Sequence, residues 1–478
     1  MMRLEMWHSL PDNGPDRGKT SMTKRNSLLA TTLLAACLAT SLAGTSFAKS
    51  PAPKSSSPSY DLIQPVAPQS VGMSAEGLKA LDAAMAKAVA DGDVAGLSTL
   101  LVRHGKVVQF KTYGQASIDQ AKPMAKDTIL RIYSMTKPIT GVAMMMLYEE
   151  GKWKLDDPVS KYLPELGNLT VMSGVDGQGN VLTVPAKRVP TMRELMSHTS
   201  GFGYGLDQRS PIDKMFRKAA VLQSNDLADL VTRTSKIPLK FQPGENWSYS
   251  IGVDLQGRIV EVLSGQKFSD FLQQRIFTPL NMKDTAFYVE AGKVDRLSDV
   301  YATNPATGKL IALSPKMGPQ VQDFTKLHGL ESGGGGLTST ASDYGRFSQM
   351  VLNGGTLDSV RLLKPQTLAL MGVDAIAPGI HPDGSLIAGM GTSAFAFKDG
   401  VGFGLDFMVV SDPKAAALPV GKGTLSWGGA AGTWFWIDPT NDLYFVGMIQ
   451  RMGAKPGGAD LPGQAQALTY KALTHPEK

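Results

Sequence analysis

The sequence predicts an α/β (α+β) fold: one sheet built from both ends of the chain, flanked by helices, with a mostly helical region inserted between. Two observations predict it. Strand-like runs occur early, at 96–102 and 106–112, and again late, at 402–410, 424–429, 433–438 and 443–450. Between these groups, from about 152 to 330, the chain is rich in loops and amphipathic helices.

Taken in order, the chain opens on a targeting segment. Lys24-Arg25 precedes a Leu- and Ala-rich apolar stretch at 28–43, and Ser46-Phe47-Ala48 is a small-x-small cleavage site. Residues 22–48 read as a bacterial signal peptide, with residues 1–21 an over-extended start ahead of Met22. The expected destination is the periplasm or the medium. Cys37, the only cysteine, offers a second route: Leu34-Ala35-Ala36-Cys37 looks like a lipoprotein signal that would leave a lipid anchor at Cys37. Against that route, the chain stays apolar after Cys37 and a good cleavage site follows at Ala48. Cleavage there leaves no cysteine for a disulfide, a thiol nucleophile or a cysteine–zinc site. No later segment is long and apolar enough to span a bilayer.

Residues 49–69, rich in Pro, Ser and Ala, read as a linker, and 70–475 as the folded domain. Ser74 caps a helix carrying Leu78, Leu81, Met85 and Val89. His104-Gly105 joins the two early strands as a hairpin. Further helices are predicted over 252–264 and 268–277, with apolar residues at helical spacing, and over 463–474. Asp438-Pro439-Thr440-Asn441 marks the turn between the last two strands. The glycine-rich run Ser332–Gly336 is not a phosphate loop, since no Gly-Lys-Ser/Thr follows. With 42% hydrophobic and 19% charged residues, the composition is that of an ordinary soluble globular protein. The net charge of +6 is mild and dispersed, which argues against nucleic acid as a partner.

The chemistry-bearing motif is Ser134-Met135-Thr136-Lys137. Ser-x-x-Lys also begins at Ser21, Ser46, Ser264 and Ser411, but the first two lie in the leader, Gly265 ends the helix after Ser264, and Asp412-Pro413 makes a turn after Ser411. Only Ser134 opens an apolar helix. Pro138 is tolerated in its first turn, Ile139, Val142, Ala143, Met146 and Leu147 form its buried face, and Gly151 ends it. At i and i+3 the hydroxyl and amine share one face, a nucleophile and proton acceptor one turn apart at the positive end of the helix dipole. The same four residues would also suit a capping serine and a solvated lysine.

Two further runs supply candidates. Pro243-Gly244-Glu245-Asn246-Trp247-Ser248-Tyr249-Ser250 makes a turn and sets Tyr249 on a loop entering a helix. A nearby Lys137 would favour its phenolate and make it a proton shuttle; taken alone, the run reads sooner as a buried tyrosine closing a loop. In Ser426-Trp427-Gly428-Gly429-Ala430-Ala431-Gly432, glycines on a strand allow a ligand close to the backbone, or a tight sheet bend.

The order Ser-x-x-Lys, Pro-Gly-x-x-Trp-x-Tyr-Ser, Trp-Gly-Gly resembles the serine β-lactamase-like superfamily, closest to its class C-related branch with the family VIII carboxylesterases. Leu155-Asp156-Asp157-Pro158, Leu195–Gly201 (Leu-Met-Ser-His-Thr-Ser-Gly) and Ser332–Leu337 followed by Ser339–Tyr344 are similar to that family as well. The resemblance covers about 70–475 and implies a β-lactamase-like fold with an antiparallel sheet. It also implies Ser134 as acylated nucleophile, Lys137 as the group that helps deprotonate it, and Tyr249 as general base and acid. The amides of Ser134 and Ala430 would form the oxyanion hole, with Trp427, Gly428 and Gly429 beside the substrate. No cofactor and no metal are implied. Two departures bear on the substrate. Ile251 stands where the lactam-binding relatives carry Asn, and Trp427 where they carry Lys or His. Both changes favour a neutral small-molecule ester over penicillins or D-Ala-D-Ala peptides. The expected function is a carboxylesterase on short- to medium-chain esters. The alternatives are a β-lactamase or D-Ala-D-Ala carboxypeptidase, and a non-catalytic cell-envelope binding protein.

Among the remaining residues, Phe202 and Tyr204 on a glycine-rich loop are candidates to line the pocket. His198 is read as loop-stabilising, because no Gly-x-Ser-x-Gly elbow exists to pair it with a serine. His104 and His328 make no metal-ligand spacing. Asp156-Asp157-Pro158 reads as a turn rather than a carboxylate pair, and the 23 methionines as core filler.

Overall fold

The computed structural model describes residues 60–474 apart from 63, 315–316, 318–321, 381, 383–395, 454 and 456. The leader, Cys37 and the first part of the linker lie outside the described residues. Tyr60 and Leu62, read above as linker, pack onto the domain. The Tyr60 hydroxyl donates to Gln349 Oε1 at 2.7 Å, its carbonyl accepts from Arg346, and Leu62 is buried. A Pro- and Ser-rich composition hid these two apolar anchors.

Ser74 accepts the Gly77 amide and starts α1 (Ala75–Ala90), which buries Leu78, Leu81 and Met85. Strands β1 (Gly96–Arg103) and β2 (Lys106–Ser117) follow, joined at His104-Gly105, where both residues take the positive φ that a two-residue hairpin requires. The short strand β3 (Lys122–Pro123) pairs with β2. Helix α2 (Thr136–Glu149) buries nearly every position. The inserted region carries α3 (Met192–Met196), α4 (Pro211–Lys218), α5 (Leu227–Thr234), α6 (Gly252–Ser264) and α7 (Phe268–Leu272). After it come α8 (Ala341–Leu352) and α9 (Pro365–Met371). Strands β4 (Val401–Phe403), β5 (Met408–Val410), β6 (Thr424–Gly428), β7 (Trp434–Asp438) and β8 (Leu443–Ile449) and helix α10 (Leu461–Lys471) complete the chain.

The eight strands form one antiparallel sheet in the order β4-β5-β6-β7-β8-β1-β2-β3. The two chain ends meet at β1 and β8, where Leu97 pairs with Ile449 and Arg103 with Leu443. All eight residues of β1 and all seven of β8 are buried, so helices cover both faces of the sheet centre. Helix α8 packs on β1 and β8, while α1 packs on α10, to which the Ser74 amide is tied through the Ala472 carbonyl at 2.7 Å.

Three elements differ from expectation. The run at 402–410 is two strands, because Gly404 donates to the Phe407 carbonyl and Asp406 takes φ +62, which turns the chain back on itself. The segment 268–277 is α-helical only to Leu272 and continues as a π-turn through Phe277. The inserted region also carries two small antiparallel hairpins, Thr170–Val175 with Val181–Pro185 and Val300–Thr303 with Leu310–Leu313. No described helix is long and apolar enough to cross a membrane.

Candidate active site

Ser134 does not lie inside α2 but in the short turn Tyr133–Met135 that leads into it. Tyr133 takes φ +41, a strained value for a residue with a side chain, directly before the serine. The turn is held from several sides. The Ile132 amide donates to the Leu337 carbonyl, the Tyr344 hydroxyl to the Met135 carbonyl, and the Leu337 amide to Thr136 Oγ1. A Cβ on Gly429, at the end of β6, would overlap the Ile132 carbonyl. The glycine strand therefore closes directly onto the serine turn.

Lys137 is fully buried, so the solvated-lysine alternative falls. Its Nζ donates to Ser134 Oγ at 3.3 Å, to the Tyr204 hydroxyl at 3.3 Å and to the Gly334 carbonyl at 2.6 Å, which uses all three of its hydrogens. The Tyr249 hydroxyl lies 2.7 Å from Ser134 Oγ, and Lys137 Nζ sits 4.5 Å from the Tyr249 ring centroid. Ser134, Lys137 and Tyr249 are thus brought together around one hydroxyl, the first two from the serine turn and its helix and the third from a distant loop. Ala430, just past the end of β6, is exposed.

The other candidates divide. Tyr204 belongs to the cluster through Lys137, and its loop is pinned by buried Asp213, which accepts the Tyr204 amide at 2.7 Å. Burial pushes the Tyr204 hydroxyl pKa well above its ordinary value, with Asp254 and Tyr249 adding to the rise. Phe202 is buried in the core cluster. Trp427 is 2% exposed and packed 5.5 Å from the Tyr249 ring and 5.2 Å from Phe403, so it braces the tyrosine. Ile251 is fully buried and its amide donates to the Gly203 carbonyl. His104 pairs with Asp442, and His328 with the Asp323 carbonyl. Asp157 accepts the Lys154 amide and bonds Lys161 and Tyr162, a turn as expected.

Two buried carboxylates were missed by the sequence reading. Asp254 accepts Ser332 Oγ at 2.5 Å and the Gly334 amide at 3.1 Å. Burial raises its carboxyl pKa, while the nearby Lys137 charge and these hydrogen bonds oppose the rise. Asp406 is pushed well above the carboxylate range by burial, opposed by the Gln256 amide and Lys137. For Asp254 the available signal was an acid in the first turn of a helix, between the buried Val253 and Leu255.

Gly334 is where these groups converge, since a Cβ there would overlap both Asp254 Oδ2 and the Tyr204 hydroxyl. Gly334→Ala is expected to destabilise the fold by about 1–3 kcal/mol through overpacking, read as a lowered midpoint of thermal unfolding. An unchanged midpoint would mean the segment 333–336 yields freely. A cavity of about 310 Å³ bounded by Ile129, Lys267, Ser269, Phe287 and Glu331 contains none of the three clustered residues. The site is therefore assigned on the side-chain geometry. Among the described residues no group of three or more His, Cys, Asp or Glu could hold a metal ion.

Fold and cluster together define the class, a serine hydrolase whose serine is partnered by lysine and tyrosine rather than histidine. The Beta-lactamase family model matches residues 81–469, and the chain belongs to that family. Protein Rv1367c of Mycobacterium tuberculosis is 36% identical over 364 residues, covering 75% of this chain and 86% of the relative. Esterase EstB of Burkholderia gladioli is 30% identical over 385 residues, covering 77% and 89%. Among solved structures, EstCE1, described as a hydrolase with promiscuous acyltransferase activity, is 25% identical with a TM-score of 0.65, covering 82% of this chain and 98% of the other.

Proposed function

We propose that this serine hydrolase is a carboxylesterase that forms an acyl-enzyme on Ser134 with short- to medium-chain esters. The observation that carries the reading is the Ser134 Oγ, 2.7 Å from the Tyr249 hydroxyl and 3.3 Å from Lys137 Nζ. With Tyr249 in its phenolate form, its own proton already lost to solvent, Ser134 Oγ attacks the ester carbonyl as the phenolate oxygen takes the serine proton. The carbonyl oxygen becomes an oxyanion facing the Ser134 and Ala430 amides, where each donor is worth roughly 10²–10³ in rate. The alkoxide leaves with the proton from Tyr249, and water repeats the sequence to release the acid. Lys137 balances the charge that moves along this path.

The ester preference is supported by the two departures. Ile251 supplies no side-chain amide for a substrate amide, and Trp427 supplies no cation for a substrate carboxylate. The likeness to an esterase over most of both chains supports it too. The leader over 22–48 supports export to the periplasm or medium, with a lipoprotein at Cys37 as the alternative.

The test is hydrolysis of p-nitrophenyl butyrate and of a chromogenic cephalosporin side by side. Ester turnover with little cephalosporin turnover is expected. Dominant cephalosporin turnover would place the enzyme with the lactamases, and no fluorophosphonate labelling of Ser134 would make it a binding protein.

A further inference from the structure

His198 occupies a backbone position that favours glycine. It follows α3 at φ +60, and the Thr199 amide closes back onto the Glu194 carbonyl at 3.0 Å, the bond of a Schellman-type helix end. A side chain held in that left-handed conformation costs conformational energy, so what the imidazole touches is informative.

It touches the tyrosine loop on both sides of Tyr249. The Ser248 amide donates to the His198 carbonyl at 2.9 Å. On the other side, His198 Nδ1 accepts the Ser250 amide at 3.2 Å and lies 2.9 Å from the Ser250 hydroxyl. A backbone amide can only donate, so Nδ1 is unprotonated and the neutral ring carries its proton on Nε2. The ring is fully buried, 4.9 Å from the Tyr249 ring at 61° and 5.1 Å from Phe403. Burial and the Lys137 charge both disfavour its protonated form. Neighbouring backbone bonds, Gly244 to the Thr199 carbonyl and Ile251 to the Gly203 carbonyl, run the two loops side by side.

From these contacts we propose that His198 is a positioning residue: by clamping Ser248 and Ser250 it holds the Tyr249 hydroxyl at 2.7 Å from Ser134 Oγ. The proposal rests on the reading that Tyr249 moves the serine proton. His198 itself takes no proton in the reaction. Its imidazole orients the loop, and the strained backbone position is kept because glycine there would supply no acceptor for Ser250.

The experiment compares His198→Gly, His198→Asn, Tyr249→Phe and the His198→Gly/Tyr249→Phe double variant on p-nitrophenyl butyrate, with rates expressed per folded protein as judged by the thermal unfolding midpoint. Glycine suits the helix end and removes only the imidazole. Its kcat is expected to fall by about 10²-fold with KM little changed, as when a general base is displaced. Asparagine tolerates positive φ and offers a side-chain oxygen near the place of Nδ1, so His198→Asn should recover much of the loss. In the Tyr249→Phe background His198→Gly should cost little more, because the clamp acts through the tyrosine. Wild-type kcat in His198→Gly, equal losses in both backgrounds, or no recovery with Asn would each overturn the proposal. Wild-type activity in Tyr249→Phe would overturn the catalytic reading of the tyrosine along with it, which separates the two failures.

Discussion

Ser134→Ala is expected to lower kcat for p-nitrophenyl butyrate by at least about 10⁴-fold while leaving the fold intact. The physical ground is the absence of a substitute. Tyr249 and Lys137 both point at Ser134 Oγ, and neither alone forms the acyl-enzyme that splits the reaction into two easier steps. On the proposed mechanism, what remains in the variant is binding and oxyanion stabilisation by backbone amides, with the amide at position 134 retained among them. The variant should therefore keep measurable binding of a non-hydrolysed ester analogue and the wild-type unfolding midpoint, because only a hydroxyl at the end of a turn is lost. Covalent labelling by a fluorophosphonate should disappear with the activity. Retention of more than about a hundredth of the wild-type rate would show that the nucleophile lies elsewhere, since a chemical step through another group is the only way to escape so large a loss.

The sequence exposed the Ser134–Lys137 pair because the two are local. A helix places i and i+3 on one face, and the apolar run after Lys137 showed where the helix lay. The sheet made from both chain ends was legible for the same reason: short apolar runs bounded by turn residues are short-range signals, and β1 and β8 carry them in Leu100–Val102 and Leu443–Val446. Tyr249 was legible as a turn-borne tyrosine, but its partner was fixed only by resemblance. Asp254 and Gly334 were not legible, because their meeting depends on a contact between segments 80 residues apart. The hairpin hidden in 402–410 was missed because Gly404 and Asp406 sit within a run that otherwise keeps strand composition. Trp427 was expected to face the substrate. Alternation along β6 could not say that the indole would be buried against the Tyr249 ring.

Lys137→Met should abolish activity and also change how stability depends on pH. The thioether keeps most of the buried length of the lysine stem, so the variant removes the charge and three donated hydrogen bonds with little loss of packing. The Gly334 carbonyl and Tyr204 lose their donor, and Ser134 loses the group expected to balance its developing charge. A fall in kcat of at least about 10³-fold follows. Stability should fall by a few kcal/mol, of the order found when one member of a buried charged pair is removed. Asp254 sets the pH dependence, since burial already raises its pKa in the folded protein and Lys137 is the first influence opposing that rise. Asp406, also raised by burial and opposed by Lys137, acts in the same direction. A carboxyl whose folded pKa exceeds the ordinary 3.8 binds more protons folded than unfolded between those two values, so stability drops as pH rises through that window. Without Lys137 the window extends further upward. The deficit of Lys137→Met relative to wild type should therefore be larger at pH 8 than at pH 5 when urea midpoints are compared, and Asp254→Asn in the same background should shrink the difference. A deficit equal at both pH values would mean that Asp254 and Asp406 do not feel the lysine charge, and that Lys137 is held in the cluster by its hydrogen bonds alone.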